Sequence, residues 1–189
     1  MIETPRAPQY AHLAKRDDVA LLLSPGAVGI ELGVAEGEFA YRLLQKPTFS
    51  FLYGVDAYAG DRGHDIDQYK RVLRRLDVFR NRYSLLQMRF DQAVDLFDDH
   101  TFDFVYVDGY AHTGEEGGAT FRDWWPKLRP GGVFAGDDYD PAWPDVVKQV
   151  DQFLGEHALT GYLIPFVEKD TPYCKYPTWF TIKPTHPRR

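Results

Sequence analysis

Apolar residues recur along this chain in two alternating rhythms. Short runs dense in β-branched and aromatic residues read as strands, and stretches with apolar positions three and four apart read as helices. On that pattern strands lie at 27–32, 50–55, 83–88, 102–107 and 133–136, each followed by a helical stretch, at 37–45, 68–79, 91–98, 115–128 and 144–157. An earlier helix over 11–24 stops at Ser24-Pro25-Gly26. Two last strands, 162–168 and 178–183, leave no room for a helix between them and are expected to pair antiparallel. Five strand–helix units with such a pair at the end predict a doubly wound α/β sheet that binds ligands at the carboxyl ends of its strands.

The first of those ends is the most informative. From Val28 to Phe39 an apolar run reaches Glu31, passes Gly33 and Gly37, and turns helical. Gly33 lets the backbone leave the strand through dihedrals that a Cβ obstructs, and Gly37 lets a helix begin close to a ligand. Position 35 is Ala, so the spacing departs from the Gly-x-Gly-x-x-Gly fingerprint that seats a pyrophosphate on a helix N-terminus. Glu31 and Glu36 would also repel a pyrophosphate, and they suit a ligand with an amine or sulfonium cation and ribose hydroxyls. A glycine-bearing turn without any ligand is the plain alternative. Asp56 ends the second strand, 25 residues after Glu31, where an acidic residue faces the ribose of a nucleotide-like ligand. Arg89 and Phe90, beyond the third strand, stand where they would flank an adenine.

A second constellation lies at the next two strand ends. Asp108 follows the strand at 102–107, and Asp137 and Asp138 follow the strand at 133–136. Neighbouring strands run about 4.8 Å apart, so these carboxylates can converge. Three clustered acids without a cation would raise one another's pKa values. A hard divalent ion such as magnesium would relieve the repulsion and would make a bound hydroxyl easier to deprotonate. The other reading is a loop that caps the following helix. His112, four positions past Asp108, suits a general base, with an ordinary pKa of about 6.5. Asp61, His64, Asp65 and Asp67 share a polar loop that lacks the ligand order of a calcium site and reads as solvated. Trp124 and Trp125 read as sheet-covering core.

Charge narrows the partners. With 22 Lys and Arg against 28 Asp and Glu, the net charge of -6 offers no basic surface for a phosphate backbone, so nucleic acid is not expected. No apolar run approaches the roughly 18 residues of a membrane span, and the opening residues lack the apolar centre of a signal peptide. The expectation is a cytoplasmic protein with no membrane partner. Cys174 is the only cysteine, which rules out an internal disulfide, and it reads as a small apolar filler. At 189 residues one domain is expected, with an arm and helix over 1–24 and a core over 27–183.

Taken together, residues 29–39, Gly54-Val55-Asp56, 102–109, and Trp124 through Gly132 to Asp137-Asp138-Tyr139 resemble class I S-adenosylmethionine-dependent methyltransferases. The Leu128-Arg129-Pro130-Gly131-Gly132 turn is characteristic of that superfamily, and the nearest group is the small bacterial enzymes that include metal-dependent macrolide sugar O-methyltransferases. The resemblance spans residues 27–183. It implies a Rossmann-like doubly wound sheet of seven strands, mostly parallel with an antiparallel last strand, and helices on both faces. It implies S-adenosyl-L-methionine as cofactor, held by Glu31, Gly33, Gly37 and Asp56, and Glu36, Phe39, Arg89, Phe90 and Asp108 are the further candidates for the cofactor site. It also implies a magnesium-type ion on Asp108, Asp137 and Asp138; Asp108 and, on its own chemistry, His112 are the candidate catalytic residues. Catechol-type relatives carry a lysine base three residues after the first metal aspartate, and that position here is Ala111. The long N-terminal extension of the macrolide enzymes is missing, so a sugar acceptor is not carried over.

The expected activity is metal-assisted O-methylation of a small-molecule hydroxyl. Metal-independent N- or carboxyl-methylation, a non-catalytic cofactor-binding module and a nicotinamide dehydrogenase are its rivals. Oligomeric state is left open, with a homo-oligomer as one option.

Overall fold

Strands and helices alternate as the periodicity predicts. The computed structural model describes residues 8–60, 63–109, 116–165 and 174–185. The strands are β1 (Gln9–Tyr10), β2 (Ala27–Leu32), β3 (Phe49–Asp56), β4 (Tyr83–Gln87), β5 (Phe102–Val107), β6 (Leu128–Gly136), β7 (Tyr162–Ile164) and β8 (Thr178–Ile182). The α-helices are α1 (Glu38–Gln45), α2 (Ile66–Leu76), α3 (Phe90–Ala93), α4 (Ala119–Trp124) and α5 (Pro144–Glu156).

All eight strands form one sheet in the order β1-β7-β8-β6-β5-β2-β3-β4. The five from β2 to β6 run parallel, and β8 runs antiparallel to both β6 and β7. The expected sheet of seven strands therefore gains an eighth. The extra strand, β1, pairs parallel with β7 through Gln9 and Tyr10. Two exposed residues carry no alternation that a sequence pattern could reveal.

Each face of the sheet buries its own core. On one side Phe39, Leu43 and Leu44 of α1 and Val72 and Leu76 of α2 pack with Leu52, Phe104 and Tyr106. On the other, Phe121 and Trp124 of α4 and Val146, Val150 and Phe153 of α5 pack with Ile30, Leu32 and Phe134. Trp124 is fully buried there, as expected of a sheet-covering residue. Among the described residues no helix is long and apolar enough to cross a membrane.

Three local expectations change. The helix expected over 11–24 is a shorter 3-10 helix, Arg16–Leu22. Its start is fixed because the Asp18 carboxylate accepts from the Lys15 N–H at 3.0 Å. The helix expected over 115–128 is confined, among the described residues, to Ala119–Trp124. The Leu128 to Gly132 segment, expected as a turn, opens β6, with a register shift opposite Phe102 and Phe104. Asp103 and Arg129, 3.1 Å apart, hold it there.

The order of pairing sets the site. Chain order reverses where β2 lies between β5 and β3, which opens a crevice at the carboxyl ends of those strands.

Candidate active site

Backbone bonds continue past the ends of the central strands and fix where the site residues stand. Gly33 N–H donates to Val55 O at 2.8 Å, and Asp108 N–H donates to Leu32 O at 2.7 Å. Gly33 consequently lies against the backbone of Asp108. Its φ is +95°, and a Cβ built there would come within 1.3 Å of the Asp108 carbonyl oxygen. No flexible side chain can yield at that point, so the turn requires glycine. Gly37 has φ +71° and stands as the N-cap of α1.

Between the two glycines the turn is strained and pinned. Ala35 has φ +46°, a left-handed conformation that costs a residue with a Cβ about 1–2 kcal/mol. Asp56 at the end of β3 holds it. One carboxylate oxygen of Asp56 accepts from both Val34 N–H and Ala35 N–H at 3.0 Å, and the other accepts from Tyr58 N–H at 3.2 Å. The Tyr58 hydroxyl then donates to Ala35 O at 2.9 Å. Asp56 is thus engaged with the turn itself, and as a carboxylate it keeps lone pairs for a further donor. The role of Tyr58 has no sequence signature.

Glu31, two residues before Gly33, is 1% exposed. Among the described residues its Oε2 has no hydrogen-bond partner. Burial pushes its carboxyl well above the ordinary value, the nearby Asp108 adds to the rise, and Arg16 opposes it. A buried acceptor left unpaired costs about 1–3 kcal/mol, and a cationic donor would satisfy it. A ligand ammonium fits that requirement.

The other residues around the turn divide. Glu36 pairs with Arg71 at 2.8 Å and accepts from Gln68 at 3.2 Å, joining α2 to the turn. The Arg71 hydrogen bond lowers its pKa. Phe39 is 2% exposed, on the buried face of α1 against Tyr106. Arg89 pairs with Asp91 at 2.6 Å on the surface, while the half-buried Phe90 ring lies against Gly109 beside Asp108. His112 lies outside the described residues.

Asp108 and Asp137 are brought together, because β5 and β6 are neighbours whose last residues, Val107 and Gly136, are in register. Between the two carboxylates sits a residue that the sequence reading did not select. Arg16, at the start of the 3-10 helix, is 2% exposed and reaches Asp108 Oδ2 at 3.0 Å and Asp137 Oδ2 at 3.1 Å. Its guanidinium carbon lies 4.3 Å from the centre of the Phe39 ring and 5.2 Å from that of Tyr106. The other oxygen of Asp137 accepts from the Thr178 hydroxyl of β8 at 3.1 Å. Burial raises the Asp137 carboxyl against the pull of Arg16, and Asp108 and Asp138 add to the rise. Burial, then Asp108, raises Asp138, which has φ +62°. A signal for Arg16 did exist: it stands three positions after Leu13 and three before Val19, at an apolar-face position of the expected helix.

These residues do not fit the divalent ion expected on Asp108, Asp137 and Asp138. Asp137 spends both oxygens on Arg16 and Thr178, and Asp108 gives one to Arg16. At about 4 Å near a protein surface like charges repel by about 4 kcal/mol for each unit of charge, and a dication doubles that. Among the described residues no group of three or more His, Cys, Asp and Glu is arranged to hold a metal ion.

A methyltransferase-domain family matches residues 30–139, from the middle of β2 to the loop after β6. The chain belongs to this family. It is a class I S-adenosylmethionine-dependent methyltransferase domain, and the match extends to the class and not to the macrolide-sugar group. An uncharacterized protein of Sinorhizobium fredii is 32% identical over 100 residues, spanning 53% of this chain and 10% of its own length. The chain therefore spans about a tenth of the length of the curated relative it matches. Among solved structures, an O-methyltransferase from Bacillus cereus in complex with S-adenosylhomocysteine superposes with TM-score 0.66 at 14% identity, covering 92% of this chain and 83% of its own. An rRNA methylase from Streptococcus thermophilus gives 0.63 at 15% identity, covering 92% and 99%. Spermidine synthase from Thermotoga maritima gives 0.64 at 15% identity, covering 92% and 58%. At such identities the likeness is one of fold, and acceptors as different as these share it.

Proposed function

We propose that this methyltransferase domain transfers the methyl group of S-adenosylmethionine to a hydroxyl of a small molecule, with no metal ion taking part. The observation that carries the reading is the buried Oε2 of Glu31 beside the glycine turn, which has no hydrogen-bond partner among the described residues. Glu31 receives the ammonium of the cofactor, and the turn from Gly33 to Gly37 leaves its backbone close to the ligand. Asp56, already holding the turn, takes the ribose hydroxyls. Phe90, beside Gly109, borders the base. Once bound, the cofactor supplies an electrophilic methyl on a sulfonium.

The acceptor lies toward Asp108 and Asp138, whose carboxyl oxygens receive its hydrogen-bond donors. His112 takes the proton that the acceptor hydroxyl gives up. An amine acceptor is the second reading, favoured by the acidic wall of Asp108, Asp137 and Asp138. A carboxylate acceptor would be repelled by the same wall. The acidic chain, at -6, supports a small molecule over a nucleic acid. The test is release of S-adenosylhomocysteine across panels of hydroxyl, amine and carboxylate acceptors, with and without a chelator. Turnover confined to carboxylates, or none with any acceptor, contradicts the proposal.

The electrostatics of Glu31 give a pH dependence. Its folded pKa is raised above the ordinary 4.5, so its share of stability is fully present below that value and is lost as pH rises through the raised one. A bound ammonium needs the ionised form, so the Glu31 carboxyl gives up its proton to solvent as the ligand binds across the same window. We expect the stabilisation given by S-adenosylhomocysteine to grow as pH rises above 4.5. Thermal unfolding with and without ligand, in wild type and Glu31→Gln, measures it. A ligand increment with the same pH slope in both proteins removes Glu31 from the ammonium site.

A further inference from the structure

We propose that Arg16 is the resident cation of the acceptor half of the site, standing where a divalent metal would otherwise neutralise Asp108, Asp137 and Asp138. The inference rests on the methyltransferase reading of those strand ends, but its test does not depend on turnover.

The geometry assigns the role. Two parallel strands in register deliver the half-buried Asp108 and the buried Asp137 to one place, and a buried carboxylate with a second acid beside it needs a positive partner. The guanidinium supplies it through separate nitrogens, Nη2 donating to Asp108 at 3.0 Å and Nη1 donating to Asp137 at 3.1 Å. A planar, weakly hydrated cation suits this position better than a metal ion with its water shell, because the rings of Phe39 and Tyr106 lie 4.3 and 5.2 Å from the guanidinium carbon. Thr178 satisfies the second oxygen of Asp137 and so fixes that carboxylate from the far side. Asp138 lies in the same field: burial and then Asp108 raise its pKa, and Arg16 lowers it.

Arg16 is also firmly delivered. The two residues after it, Asp17 and Asp18, both pair with Lys46 at the end of α1, at 2.9 and 3.0 Å. The backbone around Arg16 is thereby tied to the helix that starts at the cofactor turn. Arg16 acts through Asp108 and Asp137 and is a positioning residue: it sets the direction of the carboxylates and keeps the site free of a metal requirement.

Manganese serves as the probe, because its paramagnetic resonance signal reports bound ion directly. Wild type with S-adenosylhomocysteine is expected to bind no Mn²⁺ up to about 1 mM, weaker than ordinary protein sites for hard divalent ions. Arg16→Lys, which keeps the charge, is expected to exclude Mn²⁺ as well. Arg16→Met keeps the bulk and removes the charge, so it is expected to bind one Mn²⁺ at least 10-fold more tightly than wild type. One Mn²⁺ bound per wild-type chain below 1 mM overturns the proposal, whether or not the methionine variant folds. A folded Arg16→Met that binds no Mn²⁺ also overturns it, because the carboxylates then share no cation position. If wild type binds neither Mn²⁺ nor S-adenosylhomocysteine, the methyltransferase reading fails while the metal-free character of the cluster stands.

Discussion

Gly33→Ala is expected to destabilise the domain by more than about 4 kcal/mol and to abolish cofactor binding, the largest effect of any glycine-to-alanine change among the described residues. The new Cβ would lie 1.3 Å from the Asp108 carbonyl oxygen, at a φ of +95° that a side chain rarely adopts. Relief would require β2 and β5 to part at their carboxyl ends, where Asp108 N–H donates to Leu32 O. That same parting would displace Glu31 and Asp108 together. Urea unfolding, read beside an S-adenosylhomocysteine titration, measures both losses. A variant with the wild-type midpoint would show that β2 and β5 do not meet as closely as described.

Asp56→Ala is expected to weaken S-adenosylhomocysteine binding by about 100-fold and to lower stability by about 3 kcal/mol. The reason is local. Three backbone N–H groups, those of Val34, Ala35 and Tyr58, lose their acceptor at once. Hydrogen bonds to a charged group contribute about 1.5–3 kcal/mol each, and water can satisfy some of the groups exposed by the truncation. Left-handed Ala35 then relaxes, because its other tether, the Tyr58 hydroxyl, rests on a residue that Asp56 also holds. Asp56→Asn keeps one oxygen for Val34 and Ala35 and should lose less than half as much. Equal losses in the two variants would mean that charge at Asp56, rather than the acceptors it offers to the turn, sets the affinity.

The parts of the fold that follow from periodicity were legible in the sequence. β2 and β5 begin and end where their apolar runs do, because a central parallel strand is buried on both faces and admits few polar residues. The reversed last strand was legible too, since the apolar runs expected as strands at 162–168 and 178–183 are too close in sequence for a crossover helix, and the described part of the first, Tyr162–Ile164, pairs antiparallel with β8. β1 was not legible, because two exposed residues bonded to an edge leave no pattern. The opening helix was misjudged in length and kind for a related reason: Asp18 can serve as a capping acceptor wherever it finds an N–H, and only the fold decides which.

The site divides along the same line. Glu31 and Gly33 were legible as candidates because one tight turn constrains their identity and spacing within a single stretch of backbone, and Asp56 because it ends the neighbouring strand. The convergence of Asp108 and Asp137 followed from strand adjacency. What filled the space between them did not, since Arg16 comes from an element 92 residues away from Asp108. Clustered acids state that a positive charge is needed and leave its source open. A metal ion and a guanidinium answer that need equally well on paper, and the rings of Phe39 and Tyr106 favour the guanidinium in the fold.

The central claim is that the turn from Glu31 to Gly37, braced by Asp56, binds the cofactor through a buried carboxylate. Isothermal calorimetry of the wild-type chain with S-adenosylhomocysteine tests it most directly. The account predicts one site per chain, with proton release in the pH window above 4.5 that is seen as a dependence of the measured heat on buffer and that is lost in Glu31→Gln. Absence of binding heat at millimolar ligand would contradict it.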